Sequence, residues 1–306
     1  MSEALGHKFG QTLGDYCERA IEPLLQEFAD RHGLYLDKQG TRTARTGKKV
    51  KWLDNYGNSH DLDFVLERGG SAEKIGTPVA FIESAWRRYT KHSRNKAQEI
   101  QGAIMPVCDR HRYCAPFKGC FLAGEYTAGA REQLASMNFR LLHFDYPTII
   151  EAFKTVGIDA RFDEGTSDAE FTEKQSKWEK LSTAKKKALW KKLLELNAAG
   201  VKAFMEGLEV AVTRSITDVR VIPLHGTAFH CPTVQEAIDF VARYSEEQAC
   251  YPLLKYEVQI RYSNGDKVDA QFGEKAAMIE FLEHYKSGNW SPIEGDEEED
   301  DQELVE

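Results

Sequence analysis

The stretch that decides the fold begins His60-Asp61-Leu62-Asp63-Phe64-Val65-Leu66-Glu67, breaks at Gly69, Gly70 and Gly76, and resumes as Pro78-Val79-Ala80-Phe81-Ile82-Glu83-Ser84-Ala85-Trp86. Both apolar runs have strand character, and the glycines between them mark a turn. Side chains alternate across a strand, so Asp61 and Asp63 share one face, and Glu83 and Ala85 share another. If the two strands pair as a hairpin, Asp63 and Glu83 meet at one end of a sheet. Two carboxylates held together in this way make a hard-oxygen site suited to Mg²⁺. A basic segment follows, Arg87-Arg88-Tyr89-Thr90-Lys91-His92-Ser93-Arg94-Asn95-Lys96-Ala97-Gln98. Ser93 is the expected cap of a helix running to Met105.

Upstream, Leu13, Cys17, Ala20, Leu24 and Phe28 recur at helical spacing over residues 2–32. Pro23 interrupts that pattern, which allows a kink or two helices, and Gly33 is the expected C-cap. Leu34–Leu36 and Val50–Leu53 read as short strands. Downstream the order is strand (Gly119–Ala123), helix (Thr127–Ser136), strand (Phe139–Phe144) and helix (Pro147–Val156). Antiparallel strands followed by βαβ units give an α/β fold whose crossovers are right-handed.

These residues and this order resemble the PD-(D/E)xK nuclease superfamily, which includes type II restriction endonucleases. The resemblance covers roughly residues 1–157. The family motif is an acid on one strand, then an acid, any residue and a lysine on the next. Asp63 matches the first acid and Glu83 the second; Ala85 stands where the lysine belongs. The resemblance implies a core of a mixed central sheet flanked by helices and a Mg²⁺-dependent endonuclease acting on double-stranded DNA as a homodimer. It also implies that an acid of the first helix, Glu18 or Glu22, leans toward the metal. Asp61 is an additional candidate ligand, because it shares a face with Asp63, and Gln98 is a further candidate on the following helix.

Three explanations cover Ala85. The lysine's role has moved to Lys91 or Lys96; the protein is a non-cutting relative; or alanine replaces a natural lysine, the usual inactivating change. Restoring lysine at 85 is expected to raise cleavage about a hundredfold, because it adds positive charge where negative charge develops. Two other function classes remain open: a non-catalytic DNA-binding relative, and an interaction protein using its acidic tail and a helical stripe.

Net charge is −9, but the run Glu294–Glu306 holds nine acids and no base, so the remainder balances at 40 acids (49 − 9) against 40 bases. The bases are clustered. Arg42, Arg45, Lys48, Lys49 and Lys51 form one group, Arg87, Arg88, Lys91, Arg94 and Lys96 a second, and Lys185-Lys186-Lys187 with Lys191 and Lys192 a third. Such patches bind phosphate even on a negative chain. Cys108, His111, Cys114 and Cys120 raise zinc, but their spacing matches no standard finger. Six cysteines in 306 residues do not make a disulfide scaffold. With no membrane-length apolar run and no secretory leader, the expected compartment is the cytoplasm.

The composition shift near Gly157–Asp168 predicts a nuclease domain over 1–157, then a linker and basic helical segment over 158–200. An α+β domain for target recognition or dimerisation is expected over 201–290, and a disordered acidic tail over 291–306. In the α+β domain, strand–turn–strand–helix recurs, with Phe240 and Tyr244 answering Phe281 and Tyr285, and Asn264-Gly265 is a hairpin signal.

Overall fold

The computed structural model describes residues 2–246 and 252–287. The predicted acidic tail lies outside the described residues. The chain divides into two units, one ending at Ser215 and the other beginning at Ile216.

The first unit opens with α1 (Ser2–Glu18) and α2 (Glu22–His32), two helices rather than one kinked helix. Pro23 falls in the first turn of α2, where its missing N–H costs nothing. Gly33 closes α2 at φ 63°, a left-handed conformation that glycine adopts without strain. Five strands follow in the sheet order β1 (Leu34–Lys38), β4 (Phe64–Arg68), β5 (Thr77–Arg87), β6 (Phe117–Gly124), β7 (Arg140–Phe144). β1, β4 and β5 are antiparallel; β5, β6 and β7 are parallel. The parallel connections run through α3 (Ser93–Arg110) and α4 (Ala128–Ser136), and α5 (Tyr146–Lys154) follows β7. This is a mixed α/β architecture with a central mixed sheet flanked by helices. Ser93 does not cap α3: its hydroxyl donates to the Thr90 carbonyl at 2.8 Å, and α3 runs on to Arg110.

The predicted strand over residues 61–67 is in fact two. β3 (Ser59–Leu62) pairs with β2 (Val50–Leu53) in a separate two-stranded hairpin, and the chain bends at Asp63 before β4 enters the main sheet. β1 therefore occupies the sheet position expected of Val50–Leu53.

Alternation along β5 splits the core. Ala80, Ile82 and Trp86 face one apolar layer with Leu13, Leu25, Phe28, Phe121 and Phe153. Phe81 and Ala85 face the other, with Val65, Ala97, Ile100, Ile104, Leu122 and Tyr126. The segment after residue 157 is no linker. Ile158, Ala160 and Phe162 are buried in the first layer, as are Phe171 of α6 (Asp168–Glu179), Leu189 and Leu193 of α7 (Thr183–Leu196), and Phe204 and Leu208 of α8 (Ala198–Thr213).

The second unit holds β8 (Ile216–Pro223), β9 (Phe229–Cys231), α9 (Val234–Arg243), β10 (Tyr256–Tyr262), β11 (Lys267–Phe272) and α10 (Lys275–Ser287). Its antiparallel sheet has the order β11-β10-β8-β9. Asn264-Gly265 forms the β10–β11 turn, with Gly265 at φ 88°.

Candidate functional site

The bend at Asp63 sets the site. β4 and β5 pair Phe64 with Ile82, so Asp63 and Glu83 come together just beyond that pair. The Asp63 backbone N–H donates to Glu83 Oε1 at 3.2 Å, and the Ser84 N–H donates to Asp63 Oδ2 at 2.8 Å. Burial raises both carboxyls above the ordinary carboxylate range. For Glu83 the neighbouring Asp63 charge adds to the rise. A desolvated like-charge pair resists double ionisation.

Glu18, at the end of α1, completes the group. Its Oε1 accepts the Trp86 N–H at 3.0 Å, on the strand that carries Glu83. Burial raises its pKa, and repulsion from Asp63 adds to the rise. Lys96, in the first turn of α3, acts on all three acids: its ammonium opposes the rise at Glu18, Asp63 and Glu83 alike. It also pairs with Glu99 at 3.3 Å. A cleft of about 330 Å³ reaches this group, with Glu18, Arg19, Asp63 and Ser84 in its wall. A larger cleft of about 790 Å³ adjoins it through Asp15 and Glu18.

Glu22 also stands in the wall of the smaller cleft, where it pairs with Lys38 at 2.6 Å. Other candidates lie elsewhere. Asp61 is on β3, exposed and paired with Lys49, so the strand break removes it from the Asp63 face. Gln98 is exposed; it and Lys96 flank Ala97, which faces the sheet, so the two diverge by about 200° around the helix. Lys91 is exposed in the short turn Thr90–His92 before α3.

The expected phosphate-binding bases divide into structural and exposed groups. Arg42 is buried, pairs with Glu67 at 2.6 Å and Asp37 at 2.9 Å, and lies over the Tyr35 ring. Arg45 pairs with Asp37 and donates to the Lys38 and Lys49 carbonyls. Arg88 donates to the Phe162 carbonyl and stacks 4.0 Å from the Tyr146 ring centre. Arg87 donates to the Trp86 carbonyl and pairs with Glu99. These four arginines hold backbone and carboxylates in place. Lys48 and Arg94 are exposed.

Ala85 is fully buried, in the apolar layer that also holds Ala97 and Tyr126. A lysine there would have to enter a filled apolar layer, which removes the ground for expecting a gain from Ala85→Lys. The same layer holds a feature the sequence did not signal: the Tyr126 hydroxyl is buried with no hydrogen-bond partner. Cys108, His111 and Cys114 do not form a metal centre; the His111 ring packs on Trp52 and Phe81, and burial lowers its pKa to about 4. Among the described residues, no group of three or more His, Cys, Asp and Glu is drawn together closely enough to hold a metal alone.

No family model and no curated protein matches the chain. One solved structure, described as "Protein of Unknown Function AF1548", is similar over 62% of this chain and 99% of its own length, at 12% identity and a TM-score of 0.28. A likeness that weak supports no argument about function. No helix among the described residues is long and apolar enough to cross a membrane.

Proposed function

We propose that the chain is a Mg²⁺-dependent endonuclease of the PD-(D/E)xK type that hydrolyses double-stranded DNA. The observation that carries this reading is the convergence of Asp63, Glu83, Glu18 and Lys96 from a strand junction, a strand and two helices. The donor set fits a hard divalent cation. Mg²⁺ commonly takes one or two carboxylates and fills its remaining positions with water and substrate phosphate, so Asp63 and Glu83 suffice without a third protein ligand. When bound, the ion would activate water and offset charge at phosphorus.

The protein's own groups would do the rest. Asp63 and Glu83 would hold the ion in their ionised forms. Lys96 would orient water and offset phosphate charge, the role the family gives to the lysine absent at Ala85. Glu18 would hold the Trp86 amide and add negative potential. The two strand-pair-plus-helix segments of the second unit support reading it as an internal repeat that serves target recognition or dimerisation. Homodimerisation and a cytoplasmic setting belong to the same proposal.

The experiment is single-turnover cleavage of duplex DNA with Mg²⁺. Asp63→Ala and Glu83→Ala are expected to abolish cleavage. Lys96→Ala should slow it at least about a hundredfold, or roughly 2.7 kcal/mol of barrier. Ala85→Lys should give no gain. Unchanged cleavage by Asp63→Ala would sink the assignment. A tenfold or greater gain from Ala85→Lys would remove Lys96 from its role. No cleavage by any form would favour the non-catalytic relative, for which the burial of Ala85 in place of the motif lysine already speaks.

A further inference from the structure

Two hydrogen bonds tie α7 to the corner where α1 gives way to α2. The Trp190 indole N–H donates to the Ala20 carbonyl at 2.6 Å, and the Tyr16 hydroxyl donates to the Lys186 carbonyl at 3.0 Å. That corner also carries Arg19, which is exposed and forms part of the wall of the cleft beside Glu18 and Asp63. Helix α7 thus abuts, along its 186–190 edge, the corner that carries Arg19. Helical geometry sets Lys187 and Lys191 on the flank next to that edge and Lys185 on the opposite flank. Lys187 and Lys191 are both exposed.

Charge compensation separates these residues from their neighbours. Lys177 pairs with Glu173, Lys192 pairs with Glu195, and the Lys186 ammonium lies 4.5 Å from the Trp178 ring centre. Among the described residues, Arg19, Lys187 and Lys191 enter no ion pair. Lys187 and Lys191 rise about 6 Å apart along the helix axis.

We infer that Arg19, Lys187 and Lys191 form a strip on which the backbone of double-stranded DNA rests as it enters the Asp63–Glu83 cleft. The choice of partner rests on the proposed nuclease reading; the strip itself stands on geometry and charge. It replaces the first basic cluster as the phosphate-contacting surface, because Arg42 and Arg45 are committed to buried acids.

The test is binding of a fluorescent duplex by the full chain in a chelator-containing buffer, followed by anisotropy over a range of salt concentrations. The double variant Lys187→Ala with Lys191→Ala should lose at least about tenfold in affinity. Its log–log salt slope should be shallower by about 1.8, at about 0.9 for each phosphate contact. Lys185→Ala, which removes the same charge from the other flank, should change affinity less than about twofold. Parent-like binding by the double variant, an equal loss from Lys185→Ala, an unchanged salt slope, preference for single strands or an acidic protein, or no duplex binding at all would each overturn the strip. Cleavage that ignores Lys187 and Lys191 overturns the strip and leaves the nuclease reading standing. Strip-dependent binding without cleavage does the reverse.

Discussion

Glu83 sits in the protein at a cost that depends on pH. Burial and the Asp63 charge raise its pKa in the folded chain above the value it would have unfolded. The folded state therefore binds more proton than the unfolded state across the interval between the two values, and stability falls as pH rises through it. Glu83→Gln keeps a side-chain oxygen for the Asp63 N–H and removes the charge. The variant should approach the parent at about pH 3, where the carboxyl is largely protonated in both states. Near pH 8 it should melt at least about 2 °C higher, which is about 1 kcal/mol at this domain size. Thermal unfolding at the two pH values measures this, and a lower melting temperature at the higher pH would mean that the charged form is held favourably. The pairing of Asp63 with Glu83 was legible because strand alternation and a Gly-rich turn leave few registers. The fate of Ala85 was not. Alternation puts it on the Glu83 face, but nothing in the sequence says that this face is closed there by an apolar layer that also holds Ala97 and Tyr126.

Among the elements, the loop from Gln39 to Lys49 is held down by Arg42, whose guanidinium joins Asp37 of β1 to Glu67 of β4 and also donates to the Ser71 and Lys74 carbonyls. Removing one partner of a buried ion network strands the others without compensation. Arg42→Ala should therefore destabilise the first unit by roughly 3–5 kcal/mol in urea unfolding, while changing duplex affinity little once folded protein is compared. A loss below about 1 kcal/mol would show that water compensates the stranded acids. A run of Arg and Lys looks the same in sequence whether it faces solvent or buried acids. The acids that decide the matter for Arg42 and Arg45, Asp37 and Glu67, lie outside the run, so the run alone does not reveal that these two are structural. Local signals did better. Pro23 and Gly33 marked the ends of α2, and Asn264-Gly265 marked its hairpin, because backbone restriction at those residues needs no distant partner. The break at Asp63 lacked any such mark, since Asp61–Glu67 alternates as one strand would; only pairing with two different partners divides it.

At the scale of the whole molecule, the first unit ends at Ser215 because α6 to α8 complete its core. A fragment of residues 1–157 would lose Phe171, Leu189, Leu193, Phe204 and Leu208 from the apolar layer. Each is worth roughly 2 kcal/mol of burial, together comparable with the whole stability of a domain. Residues 1–215 should give a cooperative unfolding transition by circular dichroism, and residues 1–157 should not; a sharp transition in the shorter fragment would restore the expected boundary. That boundary was drawn from the glycines and aspartates of residues 157–168. Composition there resembles a linker, but Ile158, Ala160 and Phe162 alternate inward. Three apolar side chains among polar neighbours bury as firmly as a longer run when a layer awaits them.

The change from antiparallel to parallel pairing at β5 also orders the assembly of the site in time. β4 and β5 are joined by a turn, so closing them costs little chain entropy. β5 and β6 meet only after the α3 crossover has been laid down. If the cheaper closure comes first, the two acids confront each other in the folding chain before Lys96 is docked to offset them. The barrier to folding should carry a charge penalty that the finished protein has partly relieved. In stopped-flow measurements near pH 8, Glu83→Gln should quicken refolding more than it slows unfolding. A change confined to the unfolding limb would mean that the acids meet only after the rate-limiting step.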